Sequence, residues 1–308
     1  MNTICVIGST GFLGSSIVRY FSKIEDVRVL AVARDLQKAR ALFNDLKDNV
    51  SIIADPNNDL KWLNSYTDFQ AIVNVAGYPI YKRWSGSVKN KIIDSRVKLT
   101  RKLVNALVNT KASVDLLIST SAIGYYGIKA INVKEDYFKG EGILHDMCVE
   151  WERAALEAEN AGIDVAILRN GIVLGDGGLL RSIIRRFGSI AFYIDSFNDT
   201  NYLSWIDIRD YTRVIDFILT KRLKGTFNVA NGVETKFLDL KRAVSDAAKS
   251  HMLKLISMKV SSSMLKLLFG DIYKELFEAN QYVIPENLAK NGFSFEYKDI
   301  TATVSDFI

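Results

Sequence analysis

The stretch Gly8-Ser9-Thr10-Gly11-Phe12-Leu13-Gly14 decides the fold. It follows the apolar run Ile4-Cys5-Val6-Ile7 directly and opens an amphipathic segment over residues 13–23. A short run of this composition reads as a strand buried on both faces. In that setting each glycine has a task. Gly8 permits the tight turn out of the strand, Gly11 lets backbone approach a pyrophosphate, and Gly14 lets the following helix pack closely. The helix start adds unpaired N–H groups and a positive dipole end. The pattern therefore predicts a dinucleotide-binding turn contacted by Gly8, Thr10, Gly11, Phe12, Leu13 and Gly14. An ordinary glycine-rich turn, the alternative, leaves the strand before it and the helix after it without a reason.

Two further signals lie downstream. The second strand ends in Ala31-Val32-Ala33-Arg34-Asp35. A carboxylate at such a strand end would bond a ribose 2′-hydroxyl, whereas a cation accommodates a 2′-phosphate. Arg34 can stack on adenine and fork onto phosphate, while Asp35 is placed to cap the next helix. Ala33 and Arg34 are thus expected to read the adenosine end, with NADP(H) preferred over NAD(H). The other reading of Arg34 is a solvated strand-end residue. After the fourth strand, Asn74-Val75-Ala76-Gly77 offers small residues beneath a cofactor, so Val75, Ala76 and Gly77 join the predicted contacts, as does Leu168 near the end of a later strand.

Working outward, short apolar runs at 27–32, 50–53, 71–75, 116–119 and 165–168 alternate with helix-like segments at 36–46, 87–109 and 147–160. This alternation predicts an α/β protein: a Rossmann-type doubly wound parallel sheet. From about Asp176 the pattern changes. Residues 179–187 and 208–219 read as helical, 202–206 as extended and 226–229 as one more strand; the tail reads as helices at 238–249, 262–268 and 272–278. The expected division is a Rossmann domain over 1–175, its sheet completed by part of 200–232, and a small C-terminal α/β substrate lobe within 176–308.

Composition excludes several classes. Forty basic against 35 acidic residues are dispersed along the chain, and Arg181, Arg185 and Arg186 form only a local cluster. A nucleic-acid partner would need a basic stripe, so none is expected. Two cysteines, Cys5 and Cys148, exclude a disulfide framework, and with only His145 and His251 a metal centre is not expected. No run reaches the roughly 18 apolar residues of a membrane span, and no secretory pattern opens the chain. A cytoplasmic protein with a small-molecule substrate and no membrane partner is the expectation.

The chain resembles the short-chain dehydrogenase/reductase superfamily in its extended, NAD-dependent epimerase/dehydratase branch. Within it, the chain is similar to sugar-nucleotide-epimerase-like proteins that carry a C-terminal module of unknown function. The residues that carry this are Ala76-Gly77-Tyr78-Pro79-Ile80, Asp94-Ser95-Arg96-Val97, Ser121-Ala122-Ile123-Gly124-Tyr125-Tyr126-Gly127 and Leu168-Arg169-Asn170-Gly171. Ser204-Trp205-Ile206-Asp207-Ile208, Leu268-Phe269-Gly270, Gln281-Tyr282-Val283-Ile284-Pro285 and Gly292-Phe293-Ser294-Phe295 continue the pattern. The resemblance implies NADPH and, by superfamily habit, a homodimer through two long helices. It supplies no substrate.

The resemblance also implies a Tyr-x-x-x-Lys acid with a Ser or Thr beside it, for proton transfer and carbonyl positioning. Ser121 stands where that Ser belongs; its other reading is a hydroxyl bonded to its own strand end. The Tyr-x-x-x-Lys pair is absent. Cys148 falls at about the Tyr position and Glu152 at about the Lys position, and a carboxylate raises rather than lowers the pKa of a neighbouring acid. The literal match from Tyr78 to Lys82 contains Pro79 and sits in a loop. Tyr125 and Tyr126 are the replacement acids on offer, or else walls of the nicotinamide pocket. Arg83, Arg96 and Arg169 could hold phosphate or carboxylate; Arg96, on a helix facing the cofactor cleft, is the first choice, with a salt bridge to Asp94 or Glu152 as the alternative. Trp84, Trp151 and Trp205 read as packing residues.

Two readings remain: an NADP(H)-dependent oxidoreductase or epimerase-like enzyme on a small carbonyl or nucleotide-sugar-like substrate, and a non-catalytic NADP(H)-binding regulator. Some relatives carry regulatory labels such as cell-division inhibitor.

Overall fold

A computed structural model describes residues 2–46, 48–80, 83–181, 198–250, 262–270 and 272–308. Lys82, Arg185, Arg186, His251 and most of the helix expected over 179–187 lie outside these residues.

The Val-, Ile- and Leu-rich runs form a seven-stranded parallel sheet. Its strands are β1 (Asn2–Ile7), β2 (Val27–Ala33), β3 (Val50–Ala54), β4 (Asp68–Asn74), β5 (Ser113–Ala122), β7 (Asp164–Asn170) and β10 (Gly225–Val229), in the order β10-β7-β5-β4-β1-β2-β3. The chain builds outward from β1 to β3, then crosses back to β4 on the other side of β1. That reversal opens a crevice at the carboxyl ends of β1 and β4, where ligands of doubly wound sheets bind. Helices cover both faces. On one, α1 (Phe12–Phe21) and α6 (Ile208–Lys221) bury Ile17, Val18, Phe21, Tyr211, Val214 and Ile218; on the other, α4 (Leu99–Asn109) and α5 (Ile143–Leu156) bury Leu103, Val104, Leu107 and Ala155. Burial on both faces is why these strands read as unbroken apolar runs.

The helix expected over 87–109 comes in three parts. α3 (Gly86–Ile93) passes through a π-helical turn, Asp94–Lys98, into α4. Such turns insert one residue and often mark functional sites. Here it brings Ser95 and Arg96 onto the β4–α3 loop: Tyr78 N–H donates to Ser95 Oγ at 2.8 Å, and Arg96 Nη1 donates to Tyr78 O at 3.0 Å.

The C-terminal stretch builds a lobe against the carboxyl ends of the strands. Its helices are α7 (Phe237–Ser250), α8 (Ser262–Phe269), α9 (Tyr273–Phe277), α10 (Glu286–Lys290) and α11 (Ile300–Ser305). Phe237, Leu240, Phe269, Phe277, Val304 and Phe307 share one core with Trp84, Trp151 and Trp205. Two small parallel sheets complete the lobe: β6 (Lys129–Val133) with β11 (Asn280–Val283), and β8 (Ile172–Leu174) with β9 (Trp205–Asp207). β6 and β11 were not expected. Each is short and only partly apolar, and Asn132 interrupts β6 in the left-handed region at φ 58°.

Candidate dinucleotide site and reaction pocket

The turn between β1 and α1 has the shape its glycines require. Gly8 has φ +86°, and a Cβ there would lie 2.7 Å from Ala76 Cα. A Cβ on Gly14 would lie 2.2 Å from Gly8 O. No side chain caps the start of α1, where Gly11 is the N-cap, and no acidic residue sits in its first turn. The first-turn N–H groups therefore have no intrahelical acceptor and face an unopposed positive dipole end. Ser9 is not part of this surface: its Oγ donates to Val32 O at 2.8 Å and ties the turn to the end of β2. Backbone amides, missing Cβ atoms and an uncapped helix together fit a pyrophosphate.

At the end of β2, Arg34 is exposed. Asp35 is engaged elsewhere, accepting from Lys38 N–H at 2.9 Å as the N-cap of α2 (Leu36–Phe43). The guanidinium therefore stands at the strand end where a carboxylate would read a 2′-hydroxyl.

A cavity of about 340 Å³ extends from this turn toward the lobe. Phe12, Leu13, Val75, Ala76, Gly77, Arg96 and Ser121 all border it. Leu168 does not: it is fully buried within β7, and Asn170, Gly171 and Ile172 border the cavity instead. This corrects the expectation for Leu168, because the strand continues two residues further before its end opens onto the crevice.

Both tyrosines are also displaced from the reaction space, and neither borders the cavity. Tyr126 is 1% exposed; its hydroxyl donates to Asn228 Oδ1 at 2.7 Å and accepts from Arg169 Nη1 at 2.9 Å. Burial pushes its pKa up to about 12, against the opposing pull of Arg169. Tyr125 lies with its ring 3.4 Å from the Arg169 guanidinium carbon. Arg169 itself is no ligand-binding residue. It makes a bidentate pair with Glu152, Nε to Oε1 and Nη2 to Oε2 at 2.9 Å each, with side chains 5% and 7% exposed. Burial alone would lower the Arg169 pKa, but the hydrogen bonds and charge of Glu152 hold it above its ordinary value.

Ser121 joins this network. It sits in the last turnings of β5, and its Oγ donates to Glu152 Oε1 at 2.6 Å. Cys148 borders the cavity one helical turn before Glu152 on α5. Burial, reinforced by the Glu152 charge, pushes its thiol up to about 12, so it stays protonated and is no nucleophile near neutrality. A neutral thiol beside a paired carboxylate thus occupies the ground where a tyrosine and lysine were looked for. Arg96 forms neither of the ion pairs weighed for it: Asp94 pairs with Lys98 and Glu152 with Arg169. Trp84, Trp151 and Trp205 are buried, each N–H bonded within the protein, to Ile80 O, Thr100 Oγ1 and Thr235 Oγ1. Arg83 is exposed.

Sequence reading missed Glu275 and Gln281, which border the cavity from the lobe. Glu275 accepts from the N–H groups of Ile143 and Leu144 at 2.8 Å each and so caps α5 from 132 residues away. The available signal was negative: α5 begins after Gly142, with no Ser, Thr, Asp or Asn to cap it. Gln281 Nε2 donates to Ile123 O and Gly127 O.

A family model described as "NAD dependent epimerase/dehydratase family" matches residues 4–230. The chain belongs to this family. Residues 260–307 match a second model, a domain of unknown function (DUF1731). Among curated relatives, "Epimerase family protein SDR39U1 homolog, chloroplastic" of Arabidopsis thaliana is 32% identical over 301 residues, covering 96% of this chain and 84% of its own. "Epimerase family protein Mb2239" of Mycobacterium bovis is 30% identical, with 96% and 94% covered. The fold of this family member is shared with human epimerase family protein SDR39U1, solved with NADPH (TM-score 0.79, 18% identity, 100% and 99% covered). It is also shared with UDP-glucuronic acid 4-epimerase of Bacillus cereus, solved with UDP-glucuronic acid and NAD (TM-score 0.78, 18% identity, 99% and 97% covered). Among the described residues, no helix is long and apolar enough to cross a membrane, and no three His, Cys, Asp or Glu side chains could hold a metal ion.

Proposed function

We propose that this epimerase-family protein is an NADP(H)-dependent oxidoreductase or epimerase-like enzyme acting on a small carbonyl or nucleotide-sugar-like substrate. The observation that carries the reading is the continuity of one cavity from the uncapped α1 turn to the Ser121 hydroxyl. Gly8, Thr10, Gly11, Phe12, Leu13 and Gly14 would hold the pyrophosphate, Ala33 and Arg34 the adenosine phosphate, and Val75, Ala76 and Gly77 the ribose. A bound nicotinamide would supply hydride exchange with a substrate carbon. Ser121, its proton directed to Glu152, would accept from the hydroxyl form of the substrate. Exposed Arg34, with Asp35 committed to capping α2, supports NADP(H) over NAD(H).

A second reading, a non-catalytic NADP(H)-binding regulator, is favoured by one specific feature. Tyr125 and Tyr126 lie off the cavity, leaving no side-chain acid of ordinary pKa in the place of the missing tyrosine. Titrating NADPH and NADH by fluorescence, then following reduced nicotinamide absorbance across a carbonyl panel, separates the readings. Catalysis requires turnover that Ser121→Ala lowers by about tenfold or more while Tyr126→Phe retains most of it. Tight NADPH binding with no turnover on any substrate selects the regulator, and absence of nucleotide binding overturns both.

A further inference from the structure

Arg96 borders the cavity on the π-helical turn. Its Nη1 donates to Tyr78 O at 3.0 Å, to Ile92 O at 3.2 Å and to Ser95 Oγ at 3.4 Å. Its Nε and Nη2 have no hydrogen-bond acceptor, and the side chain no carboxylate within ion-pair distance, among the described residues. Its neighbours are uncharged: Gly77, where a Cβ would lie 3.1 Å from Nη2, the Trp151 ring, 5.5 Å from the guanidinium carbon, and the protonated Cys148. Burial lowers its pKa to about 10, the reverse of fully paired Arg169. Arg96 is half-buried, so its two unpartnered nitrogens are left to the cavity rather than sealed in the core. Two free donors in a fork, opening on a cavity, suit a carboxylate.

The second point of contact is set by proton direction. A hydroxyl has one proton and two lone pairs. Ser121 gives its proton to Glu152, which as the ionised partner of Arg169 can only accept. Its lone pairs face the cavity and the neighbouring Cys148 thiol, so from a ligand Ser121 recognises a donor, such as a hydroxyl. Leu144, Met147, Ile172, Leu203 and Phe237 make the rest of the wall mostly apolar, with Asn170, Glu275 and Gln281 among its polar side chains. Arg96 is the one cation among the described residues that border the cavity, too little for the two phosphates of a nucleoside diphosphate.

We infer that Arg96 and Ser121 form a two-point receptor for a small apolar hydroxy-carboxylate, with the carboxylate on Arg96 and the hydroxyl on Ser121. This rests on the proposed enzyme reading only in that the ligand shares its cavity with the cofactor.

The test is calorimetry on the full chain, first with NADP+ alone and then, at saturating NADP+, with 2-hydroxy-4-phenylbutanoate, its methyl ester, 4-phenylbutanoate and UDP-glucose. The hydroxy acid should bind about tenfold or more tighter than the ester and about fivefold tighter than the deoxy acid, as loss of a charged and of a neutral hydrogen bond implies. Arg96→Met should bring the acid-to-ester ratio near one, and Ser121→Ala should do so for the hydroxy-to-deoxy ratio. Circular dichroism melts show that each variant is folded; if Arg96→Met fails to fold, the wild-type ratios and Ser121→Ala decide. Equal binding of acid and ester, or UDP-glucose binding tighter than the hydroxy acid, overturns the inference. So does a loss of NADP+ binding in Arg96→Met with the acid-to-ester ratio unchanged, which would put the guanidinium on the cofactor. Failure of NADP+ to bind wild type sinks the enzyme reading instead.

Discussion

Single residues set the character of this site by inverting a familiar electrostatic arrangement. A lysine beside a tyrosine lowers the tyrosine pKa; here a carboxylate stands beside a thiol and both burial and charge raise it. Glu152 survives in the interior because Arg169 neutralises it through two hydrogen bonds. Removing one partner strands the other, so Arg169→Met should cost about 3–5 kcal/mol in urea unfolding. Replacing both, with Glu152→Leu added, should recover much of that loss. At the turn between β1 and α1, Gly8→Ala meets a positive φ and an Ala76 backbone contact together. We expect a loss of about 1–3 kcal/mol with NADPH affinity reduced at least tenfold, read by thermal melts and fluorescence titration.

At the scale of elements, α5 shapes the pocket, since Leu144, Met147, Cys148 and Trp151 on it border the cavity and its Glu152 holds Ser121. Its cap comes from α9 through Glu275, so the lobe and the helix are positioned jointly. Burial raises the Glu275 carboxyl above its usual 4.5, partly offset by the two N–H bonds it accepts. A raised carboxyl pKa means that the folded state holds the proton more tightly. This contribution to stability is present below 4.5 and is lost as pH rises through the folded-state value. Glu275→Gln lacks it and gives up one acceptor oxygen. The variant should therefore be less stable than wild type by about 1 kcal/mol at pH 4.5, with the gap narrowing by pH 8. A gap that widens over that range, measured by urea unfolding, would refute this account.

Over the whole molecule, the lobe is an integral part of the core. Phe269, Phe277, Val304 and Phe307 pack with Trp84 and Trp151, which precede the lobe in the chain. Removing residues 260–308 would expose that shared face. We expect the truncated chain to lose cooperative thermal unfolding and to bind a hydrophobic dye, whereas a separately folding half would melt sharply with its nucleotide affinity intact.

The doubly wound sheet and the glycine-rich turn after β1 are both legible in the sequence. Buried parallel strands must be apolar throughout, and the turn between β1 and α1 tolerates no Cβ at Gly8 or Gly14, so both are written locally. Position along the chain also marked Ser121 as a candidate, and the structure places it on the cavity. Which side chains face the cavity depends on packing between distant segments. Tyr126 and Arg169 look like ligands in sequence, yet Asn228 and Glu152, far away along the chain, claim them. Arg96 has two readings in sequence, a cleft ligand or a salt-bridge residue, and Lys98 and Arg169 take the partners of the second. Pairing among buried polar groups is settled by who is nearest in space, because each must find a partner once water is gone, and no local pattern records that competition.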